Sequence, residues 1–270
     1  MTKTNNLYML ATGALAAKRL DLQDRLFSKS SHQHLAKAGL AKGKIICDIG
    51  CGSGIMTEYL AKEVGEAGHV YAMDISQKQL DVVEERIKAC GLKNVTYILG
   101  DITERNNLPK AEADIIYSRF LLMHLKNPQV AIENMKSILK PKGVIVSQEP
   151  IWQTNQSSLH QEMFKDYVTS IIALGKYKGL DYSIGKRLKN LLEHVGFAKT
   201  EVNITAQKFP AKESKPLLAL GLAEWAPSAI AAEILTQEKI DSWQEVISSI
   251  NEEDESFYLT LEHAYALARK

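Results

Sequence analysis

Cysteine is scarce in this chain, with only Cys47, Cys51 and Cys90 among 270 residues. One sits in an apolar run and one inside a glycine-rich loop, which suits reduced thiols and excludes a disulfide framework. The three also lack the spacing of metal ligands, so no metal is expected. An excess of either charge is missing too: 33 Lys and Arg stand against 32 Asp and Glu, for a formal net charge of +1. That balance provides no basic stripe for nucleic acid and no reason to expect an anionic membrane surface. No apolar stretch is long enough to span a bilayer, and there are no internal repeats or low-complexity tracts. With 45% hydrophobic residues, the chain can bury one sizeable α/β core, with or without an inserted cap, but hardly two independent ones.

The most informative segment is Asp48-Ile49-Gly50-Cys51-Gly52-Ser53-Gly54, which follows the apolar run Lys44-Ile45-Ile46-Cys47. A β-branched run entering a glycine-rich turn and leaving into a helical pattern is the first strand, loop and helix of a nucleotide-binding sheet. Side chains at Gly50 or Gly52 would occupy ligand space and penalise a positive φ. The spacing is Gly-x-Gly-x-Gly, and Ile55 stands where a dinucleotide fingerprint needs its third glycine. Asp48 would repel a phosphate and suits a ligand with positive charge or N–H donors.

Strands and helices alternate along the chain: strand 44–49, helix 54–64, strand 69–73, helix 77–89, strand 95–99, strand 113–118, helix 128–139 and strand 143–149. The alternation predicts a doubly wound, mostly parallel sheet. Residues 5–39 read as two leading helices, the second with Leu22, Leu26 and Phe27 on one side. Ser76 and Gln79 form a capping-box pattern before the helix at 77, and Pro128 and Pro141-Lys142-Gly143 bracket the helix at 128. Past Pro150 the pattern changes to an inserted helix at 155–176, a helix at 184–195, a strand at 199–209, a helical stretch at 212–250 and a last strand from Phe257.

Asp48-x-Gly50-x-Gly52-x-Gly54, answered by an acid at Asp74 ending the second strand, resembles the class I S-adenosylmethionine (SAM) dependent methyltransferases. The likeness is strong over residues 44–150 and weaker on either side. It implies an α/β Rossmann-like, doubly wound seven-stranded sheet whose last strand is antiparallel, with a helical cap. The implied organisation is an N-terminal helical lid at 1–43, a SAM-binding core at 44–150, and at 151–270 the rest of the sheet with cap segments at about 155–182 and 212–250.

The resemblance also implies roles. Asp48, Gly50, Cys51, Gly52 and Gly54 form the cofactor loop, and Asp74 accepts both ribose hydroxyls, with Ile75 and Gln79 alongside. Asp101, after Gly100, bonds the adenine amino group while Ile102 and Ile75 cover the ring. Arg119 and Phe120 flank the cofactor, and His124 turns toward the methyl group or the acceptor as the candidate general base. The pattern Tyr8-x-Leu10 with Arg19 and Gln23 is similar to that of small-molecule methyltransferases whose leading helices close over the cofactor. Trp152, Tyr177, Tyr182 and Trp225 are candidates for an apolar acceptor pocket, and Gln148 and Glu149 for polar groups facing the cleft.

The central third is similar to quinone-ring methyltransferases, whereas the N-terminal pattern fits enzymes of secondary metabolism. Neither the Pro-Pro-Tyr motif of amide-nitrogen DNA methyltransferases nor a cysteine pair suited to arsenic is present in the latter half. The expectation is a SAM-dependent methyltransferase acting on an O, N or C nucleophile of a small molecule, with S-adenosylhomocysteine (SAH) as product. A SAM-binding partner protein without activity and an NAD-dependent oxidoreductase are the alternatives. Leu7–Ala17 has the length of a signal-peptide core, but Tyr8, Gly13 and a cofactor used in the cytosol favour a cytoplasmic protein. The helical segments offer surfaces for a homo-oligomer.

Overall fold

The computed structural model describes residues 14–109 and 112–270. Its first half follows the expected alternation: β1 (Ile45–Ile49), α2 (Ile55–Val64), β2 (His69–Asp74), α3 (Gln77–Ala89), β3 (Val95–Leu99), β4 (Ala113–Arg119), α4 (Pro128–Ser137) and β5 (Leu139–Pro150), preceded by α1 (Ala14–Ala38). β1, β2, β3, β4 and β5 pair in parallel in the order β3-β2-β1-β4-β5. Apolar β-branched strands crossed by helices require this arrangement, because both sheet faces must be covered. The chain reverses direction across the sheet between β1 and β4, and ligand crevices form at such a switch point.

The second half contains β6 (Gln156–Ser157), α5 (Gln161–Lys178), α6 (Leu188–His194), β7 (Lys199–Pro210), α7 (Ala211–Ala231), α8 (Gln237–Ser249) and β8 (Tyr258–Arg269). β8 runs antiparallel to β5 and to β7. The sheet has eight strands rather than seven, because Gln156 and Ser157 pair with Thr260 and Leu259. That pairing corrects the helix expected from 155, since α5 starts only at Gln161. Helical spacing yielded there to a tertiary ladder.

Other local expectations also shift. α1 is one unbroken helix over 14–38, and the part of the two-helix expectation before it lies outside the described residues. The capping box at Ser76 does not form; Asp74 Oδ1 accepts the Ser76 N–H instead, at 2.9 Å. The helical stretch 212–250 breaks into α7 and α8, with Glu233 at φ +56° and the Thr236 hydroxyl accepting from Lys239 N–H. Residues 184–187 form a 3-10 turn ahead of α6. β5 begins at Leu139, so Pro141-Lys142-Gly143 lie within the strand, where the register with β4 shifts.

Leu22, Leu26 and Phe27 of α1 pack into the larger core cluster with residues of α5, α7, α8 and β8. A second cluster, including Leu60, Val64 and Ile115, lies between α2 and the sheet, with Leu35 of α1. α1 thus bridges the parallel half and the helices of the second half, above the strand ends where the cavity opens.

Candidate active site

The cavity has a volume of about 530 Å³ and runs from the glycine loop to the helices of the second half. At its first end the loop is bound to β2: Met73 C=O accepts the N–H of Gly50 at 2.8 Å and of Cys51 at 3.1 Å. Gly50, Gly52 and Gly54 have φ of +73°, +56° and +76°, conformations that penalise a Cβ. A Cβ on Gly54 would also come within 2.8 Å of Val83 Cγ1. Asp48 is buried and accepts from the Thr57 hydroxyl at 2.6 Å, tying β1 to the first turn of α2. Burial raises its pKa to about 6, against the lowering by Thr57 and Arg119. One Asp48 oxygen therefore serves the fold, which narrows the ligand role expected for this acid.

Asp74 takes the Gly52 N–H on Oδ2 at 3.0 Å and the Ser76 N–H on Oδ1 at 2.9 Å. Each carboxylate oxygen keeps a second lone pair, so the group retains acceptor capacity. Burial raises its pKa, while these backbone donors oppose the shift. Ile75 beside it is half exposed, and Gln79 lines the wall with an Oε1 that has no partner among the described residues. Asp101 accepts from Thr103 N–H at 2.8 Å and from its hydroxyl at 2.7 Å, both on Oδ1. Gly100 and Ile102 line the same wall, and a Cβ on Gly100 would meet Asn107 Cβ at 2.6 Å.

The middle of the cavity is set by the segment after β4. Arg119 Nη2 pairs with Asp24 of α1 at 2.9 Å, while its buried Nη1 has no partner among the described residues. Phe120 follows at φ +54°, a left-handed conformation that costs about 1–2 kcal/mol for a non-glycine residue. Its N–H is held by Gln148 C=O at 2.8 Å. The fully buried Glu149 carboxyl then accepts the N–H groups of Leu121, Leu122 and Met123 at 3.1, 2.8 and 3.3 Å. Burial drives its pKa up to about 8 in spite of those donors. This corrects the expectation that Gln148 and Glu149 face the cleft. Gln148 accepts from Ser31 and donates to Tyr265, on the α1 side of the sheet.

The far end is a chamber of side chains from distant segments. Arg19 Nε of α1 meets Glu224 Oε2 of α7 in a buried ion pair at 2.8 Å, and its Nη1 donates to Gln23 Oε1 at 2.7 Å. His124 Nδ1 lies 3.2 Å from the Tyr182 hydroxyl. Burial and the nearby Arg19 lower the His124 pKa to about 3, so the ring is neutral at pH 7. Trp225 donates to the Tyr167 hydroxyl at 3.1 Å, and Trp152 stacks on Tyr167 with centroids 6.5 Å apart.

Besides Gln148 and Glu149, two expected site residues within the described part of the chain lie outside the cavity's lining, and the cavity brings together the others. Gly54 supports the loop from behind, and Tyr177 is 69% exposed on the outer side of α5. Tyr8 lies outside the described residues. Phe27, Tyr167 and His263 also line the wall and were not anticipated as site residues. The alternation Leu259, Leu261, His263 along β8 was the available signal, since those residues share one sheet face. Among the described residues no group of three His, Cys, Asp or Glu could hold a metal, and no helix is long and apolar enough to cross a membrane.

Comparison with known proteins agrees with this geometry. A family model described as a methyltransferase domain matches residues 40–196. A demethylmenaquinone methyltransferase of Staphylococcus aureus is 30% identical over 209 residues, covering 69% of this chain and 83% of that protein. In fold, the chain is similar to a candidate methyltransferase from Bacillus halodurans (TM-score 0.60, 19% identity, 89% and 99% of the two chains). It is also similar to a SAM-dependent methyltransferase from Aquifex aeolicus (TM-score 0.51, 18% identity, 93% and 97%). With the family model spanning more than half its length, the chain belongs to the class I SAM-dependent methyltransferases.

Proposed function

We propose that this enzyme transfers the SAM methyl group to an uncharged, largely apolar small molecule, with the cofactor held at the glycine-loop end and the acceptor in the aromatic chamber. The observation that carries the reading is Asp74: a carboxylate set by Gly52 and Ser76 N–H groups, with lone pairs left over, beside a loop whose positive φ values at Gly50, Gly52 and Gly54 favour residues without a Cβ. Two vicinal ribose hydroxyls fit that acceptor. Asp101 suits the adenine amino group, and Ile75 and Ile102 offer apolar faces for the ring. The buried Arg119 Nη1 is a donor for the carboxylate at the amino-acid end of the cofactor. Gln79 and the loop residues Gly50, Cys51 and Gly52 complete the cradle.

When bound, SAM would supply an electrophilic methyl group: a lone pair of the acceptor would form the new bond to it, the S–C electron pair would stay on sulfur in SAH, and any acceptor proton would pass to water. The chain's own contribution is positioning, worth on the order of 7–11 kcal/mol in well-oriented reactions. A His124 whose pKa is depressed to about 3 is a weak proton acceptor, so its role is to hold Tyr182 and orient the acceptor. α1 acts as a lid, held to α7 by Arg19–Glu224, and the inherited lid role of Tyr8 belongs to the segment before it. Trp152, Tyr182 and Trp225 form the acceptor walls. The name of the Staphylococcus aureus relative supports a quinol-like acceptor. The reading places the enzyme in the cytoplasm, without nucleic acid as substrate, and leaves the helical segments as surfaces on which a homo-oligomer could form.

Thermal unfolding of the protein alone and with SAH, SAM and NAD tests the cofactor assignment. A ligand at a hundred times its dissociation constant stabilises by about 2.7 kcal/mol. Shifts with SAM and SAH but not NAD are expected, and a shift with NAD alone would overturn the reading. Turnover on phenols, amines and reduced quinones then distinguishes an enzyme from a SAM-binding partner protein.

A further inference from the structure

Resting on that reading, we propose that His263 binds the acceptor: its ring hydrogen-bonds a hydroxyl or carbonyl of a neutral, ring-bearing molecule seated near Phe27 and Phe120. His263 belongs to β8, on the same face as Leu259 and Leu261, and all three line the cavity. It is only 4% exposed, and its Nδ1 has no hydrogen-bond partner among the described residues. A buried polar atom left unsatisfied costs about 1–3 kcal/mol, so one kept in a native fold calls for a partner, and at a cavity wall a guest can be that partner. The surroundings supply no alternative. The ring packs against Phe27 at 4.5 Å and Phe120 at 5.2 Å between centroids. Nδ1 itself is closed off, and a half-turn about Cβ–Cγ, which leaves the strand in place, carries it to the position of Cδ2 on the opposite ring edge.

The same surroundings define the guest. Burial and the positive Arg119 hold the His263 pKa down to about 3, so at pH 7 the ring carries one N–H and one lone pair and no charge. A neutral imidazole can accept from a hydroxyl or donate to a carbonyl. Facing aromatic rings favour a flat ring over a flexible chain. The buried Arg19–Glu224 pair is balanced within the protein and provides no net charge for an ionic acceptor. An ammonium would be buried beside the positive Arg119, and a phosphate beside a guanidinium already paired with Asp24, both at heavy cost.

The test uses 2-naphthol and naphthalene, two probes that differ by one hydroxyl. Each is titrated calorimetrically into the protein with and without saturating SAH. The wild type should prefer 2-naphthol about tenfold, the worth of one buried hydrogen bond. His263→Phe should bring the preference to within about twofold while SAH affinity and the unfolding temperature stay near wild type. His263→Gln, which keeps a donor and an acceptor, should restore part of it. His263→Leu removes the same bond with a different shape and decides the matter if the Phe variant does not fold. A wild type without the preference, or a folded Phe or Leu variant that keeps it, overturns the proposal. Failure of SAH to bind would instead count against the cofactor reading, and the titrations without SAH would still decide the role of His263.

Discussion

At the glycine-loop end of the cavity the polar groups are ordered by backbone: Asp74 is set by two N–H groups, the loop by Met73 C=O, and Asp101 by a turn to Thr103. At the chamber end they are ordered by side chains from α1, α5, α7, the segment after β4 and the residues between α5 and α6: Arg19 on Glu224, Tyr182 on His124, Trp225 on Tyr167. On the proposed assignment, the first construction recognises the cofactor, a ligand that stays the same across reactions. The second leaves its shape to a handful of packed residues, which makes it the part free to change with the acceptor. The boundary between the two is the segment after β4, where Phe120 takes its left-handed turn and Glu149 gathers three N–H groups.

That boundary is where the largest effect is expected. Glu149→Ala leaves three buried donors without an acceptor and should cost about 3–5 kcal/mol in denaturant unfolding. A loss below about 1 kcal/mol would show that the segment supports itself. The same residue has a pH signature. Its folded pKa of about 8 lies above the ordinary 4.5, so the protonated carboxyl's contribution is complete below pH 4.5 and is lost as pH rises through 8. Relative to Glu149→Gln, the wild type should lose about 1.4 kcal/mol per pH unit across that window. Parallel stability curves would count against the buried neutral carboxyl.

Asp74→Ala probes the cradle: SAH affinity should fall at least about tenfold with acceptor binding little changed, in a domain that stays folded but is less stable for the loss of the Gly52 and Ser76 bonds. An affinity equal to wild type would remove Asp74 from the ribose. Trp225→Phe probes the chamber alone and should have the smallest effect. Loss of its bond to Tyr167 should raise the acceptor KM a few-fold while SAH affinity holds, and a fall in SAH affinity would show that the two ends are not separable.

The same contrast governs what could be read before the structure. β1 falls at Ile45–Ile49, inside the expected 44–49, because a parallel strand buried by helices is a local pattern. The glycine loop and its acids were legible because backbone conformation restricts residue type on the spot. β6 was not legible, since two residues become a strand only when Thr260 and Leu259 arrive beside them. Tyr177 shares the helical stretch with Tyr167, yet one is exposed and the other buried, and spacing alone did not say which side of α5 faces the chamber. Glu149 looked like a cleft residue because its true partners are backbone groups 26 to 28 positions earlier, invisible to any pattern of side chains.

The placement of β8 carries a consequence for how the molecule comes into being. Val144 of β5 and Lys199 of β7 both take Arg269 as their register partner, so two strands far apart in the chain wait for the same late one. On a ribosome, β1 to β5 are synthesised and can begin to assemble while β7 still has no neighbour and the outer edge of β5 is bare. Contacts that close such long loops form slowly, and unpaired edges are where chains stick to one another. Nascent protein halted before β8 would therefore hold β7 and the outer edge of β5 unpaired, the form of this chain most exposed to edge-to-edge association.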